Sequence, residues 1–506
     1  MTRLPMPAMH RCGQGSKPDS NEAAAWRKSR SGRYRRPPLR WPERAALYCA
    51  LPLLSVACLL SPATAATFAV DTTADTTDQT AGDGLCRDNS GRCSLRAAIQ
   101  EANALPGADE ITLGAGTFAL TLAGAQEDAA ASGDLDVRSE IRIHGSGENA
   151  CVIDGDARDR LFDVAAGGHL TAQRLRLQHG HQALFSHADT AEISGGALLV
   201  RDGGAAVLQR VDVRSNSSVR YGQGLAVFGS LQGERLRVED NRGPDDFSIG
   251  GGLYIAPSAS LVQLQDCEIS GNAALHGGAI FSDGSATAIT LQRCLLSGNR
   301  AGMGGAIHAN LGASQWLLRN VTLSGNQADA GGAIFGDGQN ELRLEHSTIS
   351  ANHAAGANGG GAILDVRGRA FGDFIPIELI NSIVLGNTQA AGRECNTVFD
   401  DVIVSGGGTL HAPGDACILR AGAGDIVATE AGLAPLAGNG GFARSHALLA
   451  GSGAIDAALS VHCPATDQRG QPRPQDGDGN GKARCDIGAY ERGDALFADG
   501  FDAVEA

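Results

Sequence analysis

The chain has 506 residues, 70 of them glycine and only 4% aromatic, which excludes a core built from large aromatic side chains. The first 66 residues hold 11 of the 41 Lys and Arg but 3 of the 56 Asp and Glu, so residues 67–506 carry a net charge of −23. Such a surface, with Lys482 as its one lysine, repels phosphate backbones and excludes nucleic acid as a partner by bulk electrostatics.

In chain order, a basic stretch from Arg27 to Arg44 leads into the apolar run Ala45 to Leu60 and then Ala63-Thr64-Ala65. That is the pattern of an export signal with a small-x-small cleavage site, and residues 1–66 read as a targeting segment. Beyond Ala66 no apolar stretch approaches the ~18 residues of a membrane-crossing helix. The mature chain is expected to be exported, extracellular or associated with the outer membrane or cell surface, without a transmembrane span.

Residues 67–160 read as an N-terminal cap and first coils. Leu95 to Leu105 places apolar residues at helical spacing, an amphipathic helix suited to close one end. Asp134 to Val137 and Ile141 to Ile143 begin a strand pattern.

Residues 161–390 repeat. Gly277-Gly278-Ala279-Ile280, Gly304-Gly305-Ala306-Ile307, Gly331-Gly332-Ala333-Ile334 and Gly360-Gly361-Ala362-Ile363 are one phrase, with Gly195-Gly196-Ala197-Leu198, Gln223-Gly224-Leu225 and Gly251-Gly252-Leu253 upstream. Second glycines at 196, 224, 252, 278, 305, 332 and 361 give spacings of 28, 28, 26, 27, 27 and 29. A second phrase keeps step, in Ile269-Ser270-Gly271-Asn272, Leu296-Ser297-Gly298-Asn299, Leu323-Ser324-Gly325-Asn326 and Ile349-Ser350-Ala351-Asn352. Between the phrases residues alternate with period two, as in Leu261-Val262-Gln263-Leu264-Gln265, which marks short strands.

A propeller blade needs ~40 residues. The shorter period leaves an all-β right-handed parallel β-helix, a solenoid of coils of about 27 residues with N- and C-terminal caps. Ile280, Ile307, Ile334 and Ile363 then form an inward ladder. The second glycine of each phrase is expected where the chain turns or packs tightly. Asn272, Asn299, Asn326 and Asn352 are expected to stack at one turn, their amides bonded to backbone and to each other. Asp283, Asn310 and Asp337 also align; stacked carboxylates here could hold Ca²⁺, and Asp-Gly turn chemistry accounts for them equally well and is the preferred reading.

Nine cysteines follow the targeting segment, without the paired C-x-x-C spacing of a zinc site. Local disulfides are expected for Cys86 with Cys93, Cys395 with Cys417 and Cys463 with Cys485, and the odd number leaves one thiol unpaired. Cys267 and Cys294 fall one coil apart, as stacked core thiols or a cross-coil disulfide, and core thiols are the preferred reading.

Residues 391–491 break the period, gather four cysteines and read as a disulfide-rich C-terminal cap. Within them Asp476, Asp478 and Asn480 stand at positions one, three and five of a loop with Gly481 at six, as in a calcium loop, although position twelve is Ile487 rather than a glutamate. No cofactor is required, and Ca²⁺ here would be structural. Residues 492–506 form a tail.

Cys93-Ser94-Leu95-Arg96-Ala97-Ala98-Ile99-Gln100-Glu101-Ala102-Asn103 resembles the CSLREA motif of exported bacterial β-helix proteins, with Ala97 where that motif carries glutamate. The GGAI and SGN phrases resemble the repeats of polymorphic outer membrane proteins. Asp467-Gln468-Arg469-Gly470 through Cys485-Asp486-Ile487-Gly488-Ala489-Tyr490-Glu491 resembles their choice-of-anchor ending, and Leu496 to Asp502 resembles a short DGFE-like tail of some exported proteobacterial proteins, which is read equally as a sorting signal or a disordered end. These resemblances imply surface or extracellular placement more firmly than any reaction.

Parallel β-helices also host pectate lyases and polygalacturonases, which requires asking for an active site. A glycoside hydrolase needs paired carboxylates, and Asp245-Asp246 and Asp400-Asp401 are the adjacent pairs, both where the repeat is interrupted. The Asn-Thr-Asp, Gly-His-Gly and Arg-Ile-Lys signatures of polygalacturonases are missing, and His179-Gly180-His181 reads as a solvated loop. The sequence therefore favours a non-catalytic protein of adhesion or interaction, its partner an extracellular glycan or a surface protein. The alternative is a polysaccharide lyase or glycoside hydrolase acting in a lateral groove.

Overall fold

The computed structural model describes residues 65–493 apart from 125–126, 184–188, 244–246, 284–286, 311, 339, 358, 367–376, 391–392, 398–402, 415–416 and 418–419. The targeting segment up to residue 64, Asp245, Asp246, Asp400, Asp401 and the tail from residue 494 lie outside the described residues.

The chain winds as a right-handed parallel β-helix. One coil shows the plan: Ile280–Ser282 in a first ladder, Ala288–Gln292 in a second and Leu295–Ser297 in a third. All three ladders are parallel. The first runs through ten strands, from Leu135–Val137 to Cys395–Thr397. Its inward row is Leu198, Leu225, Leu253, Ile280, Ile307, Ile334 and Ile363, each stacked on the next and buried. The expected aliphatic ladder is thus present and begins earlier than the GGAI phrases.

That register corrects the glycine alignment. Leu225 pairs with Leu253, so the slot two residues before the ladder is held by Gln223 and Gly251, not Gly224 and Gly252. The two glycines of a phrase also divide the task assigned to the second. Gly277, Gly304 and Gly331 take the positive φ of the turn, 61°, 64° and 65°. Gly278 and Gly305 accept close approach, for a Cβ on either would run into the carbonyl oxygen of the glycine one coil on.

A sharp corner separates the second and third ladders, where one residue per coil is left-handed: Arg174, Arg210, Arg235, Asp266, Arg293, Asn320, His346 and Asn381, with φ from 46° to 56°. The asparagine ladder has the expected bonding. Asn272 donates from its backbone N and its Nδ2 to Oδ1 of Asn299, 3.0 Å each, and Asn299 repeats this onto Asn326. The ladder extends beyond the four expected members to Asn216 and Asn241 on one side and Asn387 on the other, where Glu394 accepts the last amide. Asn310 Nδ2 and Tyr254 Oη both donate to Asp283 at 3.0 Å.

At the N-terminal end the helix Leu95–Ala104 is capped by Ser94, whose Oγ accepts from Ala97 N at 3.0 Å. Ala97 is fully buried, so the departure from the CSLREA pattern lies in the core. Arg96, also fully buried, pairs with Asp75 at 2.6 Å and donates to the carbonyls of Ala130, Gly133 and Asp134. This ties the leading segment to the first coil.

Disulfides join Cys86 to Cys93, Cys395 to Cys417 and Cys463 to Cys485. Cys267 and Cys294 are also joined, which overturns the core-thiol reading. Stacking one coil apart brings their Cα atoms to 4.5 Å, within bonding reach. The unpaired cysteine is Cys151, buried, with burial pushing its thiol up to about 11.

After Ile426–Val427 adds a last strand to the third ladder, the chain runs back along the flank of the coils as well as following their end. Arg444 reaches Glu268 at 2.6 Å, His446 meets Ser324 Oγ at 2.8 Å, and Ala489 N donates to Thr348 Oγ1 at 3.1 Å. Ile383 and Leu410, an outward row of the third ladder, are buried beneath it with Leu448, Ala454 and Ile487. The C-terminal segment is therefore a lateral wall over an apolar face. Among the described residues no helix is long and apolar enough to cross a membrane.

Candidate functional site

The residue after each asparagine of the ladder faces outward and stacks on its counterparts: Ala273 on Arg300, Arg300 on Gln327, Gln327 on His353. This row floors a groove of about 450 Å³. Gly243, Ser248, Gly302 and Asp329 line it further, and its small residues leave the opening. An apolar edge stands beside the polar floor. Leu275, which lines the groove, and Met303, the neighbour of Gly302, are each 37% exposed, and Phe247, the neighbour of Ser248, is 62% exposed.

The floor is unspent electrostatically. Neither Arg300 nor Asp329 forms an ion pair among the described residues, whereas most arginines of the neighbouring coils do, as Arg293 does with Asp266 at 2.7 Å. His353 Nδ1 lies 2.9 Å from Thr388 Oγ1. The groove thus presents a cation, a carboxylate, an amide and an imidazole beside apolar surface. Asp329 is its single carboxylate among the described residues.

A second groove, about 300 Å³, lies on the outer face of the second ladder, lined by Gln209, Gln232, Glu234, Gln263, Gln265 and Gln292. Period-two alternation turns these amides outward while Val262 and Leu264 turn in. It also holds one carboxylate, Glu234.

Of the sequence candidates, Asp476 and Asp478 are brought together, with Asp456 joining them. Asn480 bonds Asp478 through its Nδ2 at 2.7 Å. His179 and His181 are occupied by Asp154 and Ser217. Arg300, Gln327, Asp329 and His353 were missed. The signal was their place directly after each ladder asparagine and two residues further on, legible once the asparagines are known to point inward.

Two other charged or aromatic sets are closed. Tyr254, Phe281, His308 and Phe335 stack on the outer side of the first ladder but are buried, so they offer no sugar platform. Burial and the neighbouring His276 hold His308 down at about 3, and it is neutral. Asp134, Asp163 and Glu192 converge on Arg160 and Arg201, where Arg201 meets Asp163 at 2.6 Å and Glu192 at 2.8 Å. Burial pushes Asp134 up to about 7 and nearby Asp136 up to about 8. Asp134, Asp136, Asp163 and Arg160 are buried.

Neither a family model nor a curated protein matches the chain. Among solved structures it is similar to pectate lyase Pel9A, with 12% identity over 85% of this chain and 98% of that one and a TM-score of 0.44. It is also similar to the A-module of the Azotobacter vinelandii mannuronan C-5 epimerase AlgE6, with 14% identity over 71% of this chain and 95% of that one and a TM-score of 0.32. At these identities the likeness is one of fold.

Proposed function

We propose that the chain is an exported, non-catalytic β-helical protein that mediates adhesion or interaction by holding an extracellular glycan in the groove floored by Arg300, Gln327 and His353. The carrying observation is that groove's composition: Arg300 and Asp329, neither in an ion pair among the described residues, beside an apolar edge. Four disulfides support an oxidising, exported setting.

The test incubates purified residues 67–506 with a panel of neutral and acidic polysaccharides and scores bound protein and cleavage products. Binding without products is expected, weakened at least tenfold in Arg300→Ala and Gln327→Ala proteins that keep the wild-type thermal midpoint. Cleavage products would overturn the reading.

One observation favours the second reading, a polysaccharide lyase or glycoside hydrolase. Gly243 and Ser248, which line the groove, flank Asp245 and Asp246 in the sequence. Cleavage abolished by Asp245→Asn with Asp246→Asn would establish it.

A further inference from the structure

The loop Asp476 to Gly481 has half of a calcium loop's ligand pattern, and the position where a glutamate would complete it, Ile487, is buried in apolar surroundings. The fold brings in a different carboxylate. Asp456, twenty residues earlier, lies against the loop, and one oxygen from each of Asp456, Asp476 and Asp478 falls within 4.8 Å of the others. Three oxygens bound to one Ca²⁺ at about 2.4 Å lie no more than ~4.8 Å apart.

Asp456 is the decisive member. It is 6% exposed, and its Oδ2 accepts from Asp478 N at 2.9 Å. Its Oδ1 is buried with no hydrogen-bond partner. A buried carboxylate oxygen without a partner is costly. Neither Asp456 nor Asp478 has an ion-pair partner among the described residues. Gly477 permits the approach, since a Cβ there would stand 2.8 Å from Ile455 Cγ2.

We propose that Asp456, Asp476 and Asp478 bind one Ca²⁺, which fastens the exposed loop to the buried part of the C-terminal segment. Three hard carboxylate oxygens with no sulfur or imidazole select Ca²⁺ over softer metals. Asn480 gives its amide N–H to Asp478, and Asp456 supplies the third ligand in its place. The site is independent of the groove and stabilises the wall that covers Ile383 and Leu410.

The experiment titrates chelator-treated residues 67–506 with Ca²⁺ alone, and separately with Mg²⁺ alone, by calorimetry and thermal unfolding. One saturable Ca²⁺ site is expected, with the thermal midpoint raised by at least about 2 °C at hundredfold excess over the dissociation constant. Asp456→Asn and Asp478→Asn are each expected to weaken binding tenfold or more. Asp478 is exposed, so its variant keeps the test valid if Asp456→Asn fails to fold. No Ca²⁺ site in the wild type, equal binding of Mg²⁺, or unchanged affinity in Asp478→Asn would overturn the proposal.

Discussion

Between Leu253 and Asp365 each coil buries its polar groups by repetition. Asn272, Asn299, Asn326 and Asn352 are neutral amides that satisfy one another at about 3 Å, coil after coil. The wall formed by residues 431–493 has no period and uses individual charges. Arg473, fully buried in its side chain, donates to Nδ1 of His346 at 2.7 Å and to the carbonyls of Asp486 and Gly488, with Glu491 at 3.5 Å. His346 is held well below its usual range by burial and by Arg473, so it is neutral and accepts that bond. The contrast teaches that a solenoid stabilises itself locally and redundantly, while its wall depends on single groups with many partners.

The largest effect expected is in the coils. Ile307→Asp places a charge in the dry inward row with no partner, costs several kcal/mol and leaves the chain insoluble or unfolded by circular dichroism. Arg473→Ala removes the ion-pair partner of Glu491 and the donor to His346 and two carbonyls in the wall, and is expected to cost about 3–5 kcal/mol in urea unfolding. An equal loss of stability in the coils and the wall would erase the distinction between them, so hydrogen exchange is the sharper readout. Exchange should rise in residues 431–493 while amides of the Asn299 coil stay protected.

Asn299→Ala is expected to cost about 1–3 kcal/mol, because Asn272 loses the acceptor for both its backbone N and its amide. The rest of the ladder keeps its bonds, so thermal unfolding shifts modestly and the fold persists.

The smallest effect separates the regions by pH. Burial pushes Asp486 up to about 6 and Glu491 up to about 7, from unfolded values near 4. The folded wall therefore binds more protons than the unfolded chain. Its contribution is full below about pH 4 and is lost as pH rises through about 6 to 7. Urea midpoints for the wall should fall across that window while those of the asparagine coils stay level. A level wall would show that Arg473 compensates both carboxylates completely.

The repeat made the fold legible because a solenoid writes its register into the chain: Ile280, Ile307 and Ile334 recur at 27 residues, and each stacks on the next. The register slip at Gly251 has a physical cause. Gly250, Gly251 and Gly252 are consecutive, and only pairing with Gly278 distinguishes which of them lies in the close-packed slot. The cross-coil disulfide was legible as a spacing but not as a bond, since Cα separation decides between thiol and disulfide. The groove was hidden because Arg300, Gln327 and His353 are unlike one another and share only a position.

By itself the sequence determined the coil, its inward rows, the asparagine ladder and three local disulfides, all consequences of short-range pattern and of parallel strands stacking in register. Only tertiary structure decided that residues 431–493 turn back over Ile383 and Leu410, that Asp456 meets Asp476 and Asp478, and that Arg300, without an ion pair among the described residues, floors a groove. Those contacts join positions whose separation follows no period, and their energies come from burial and charge that no local pattern encodes.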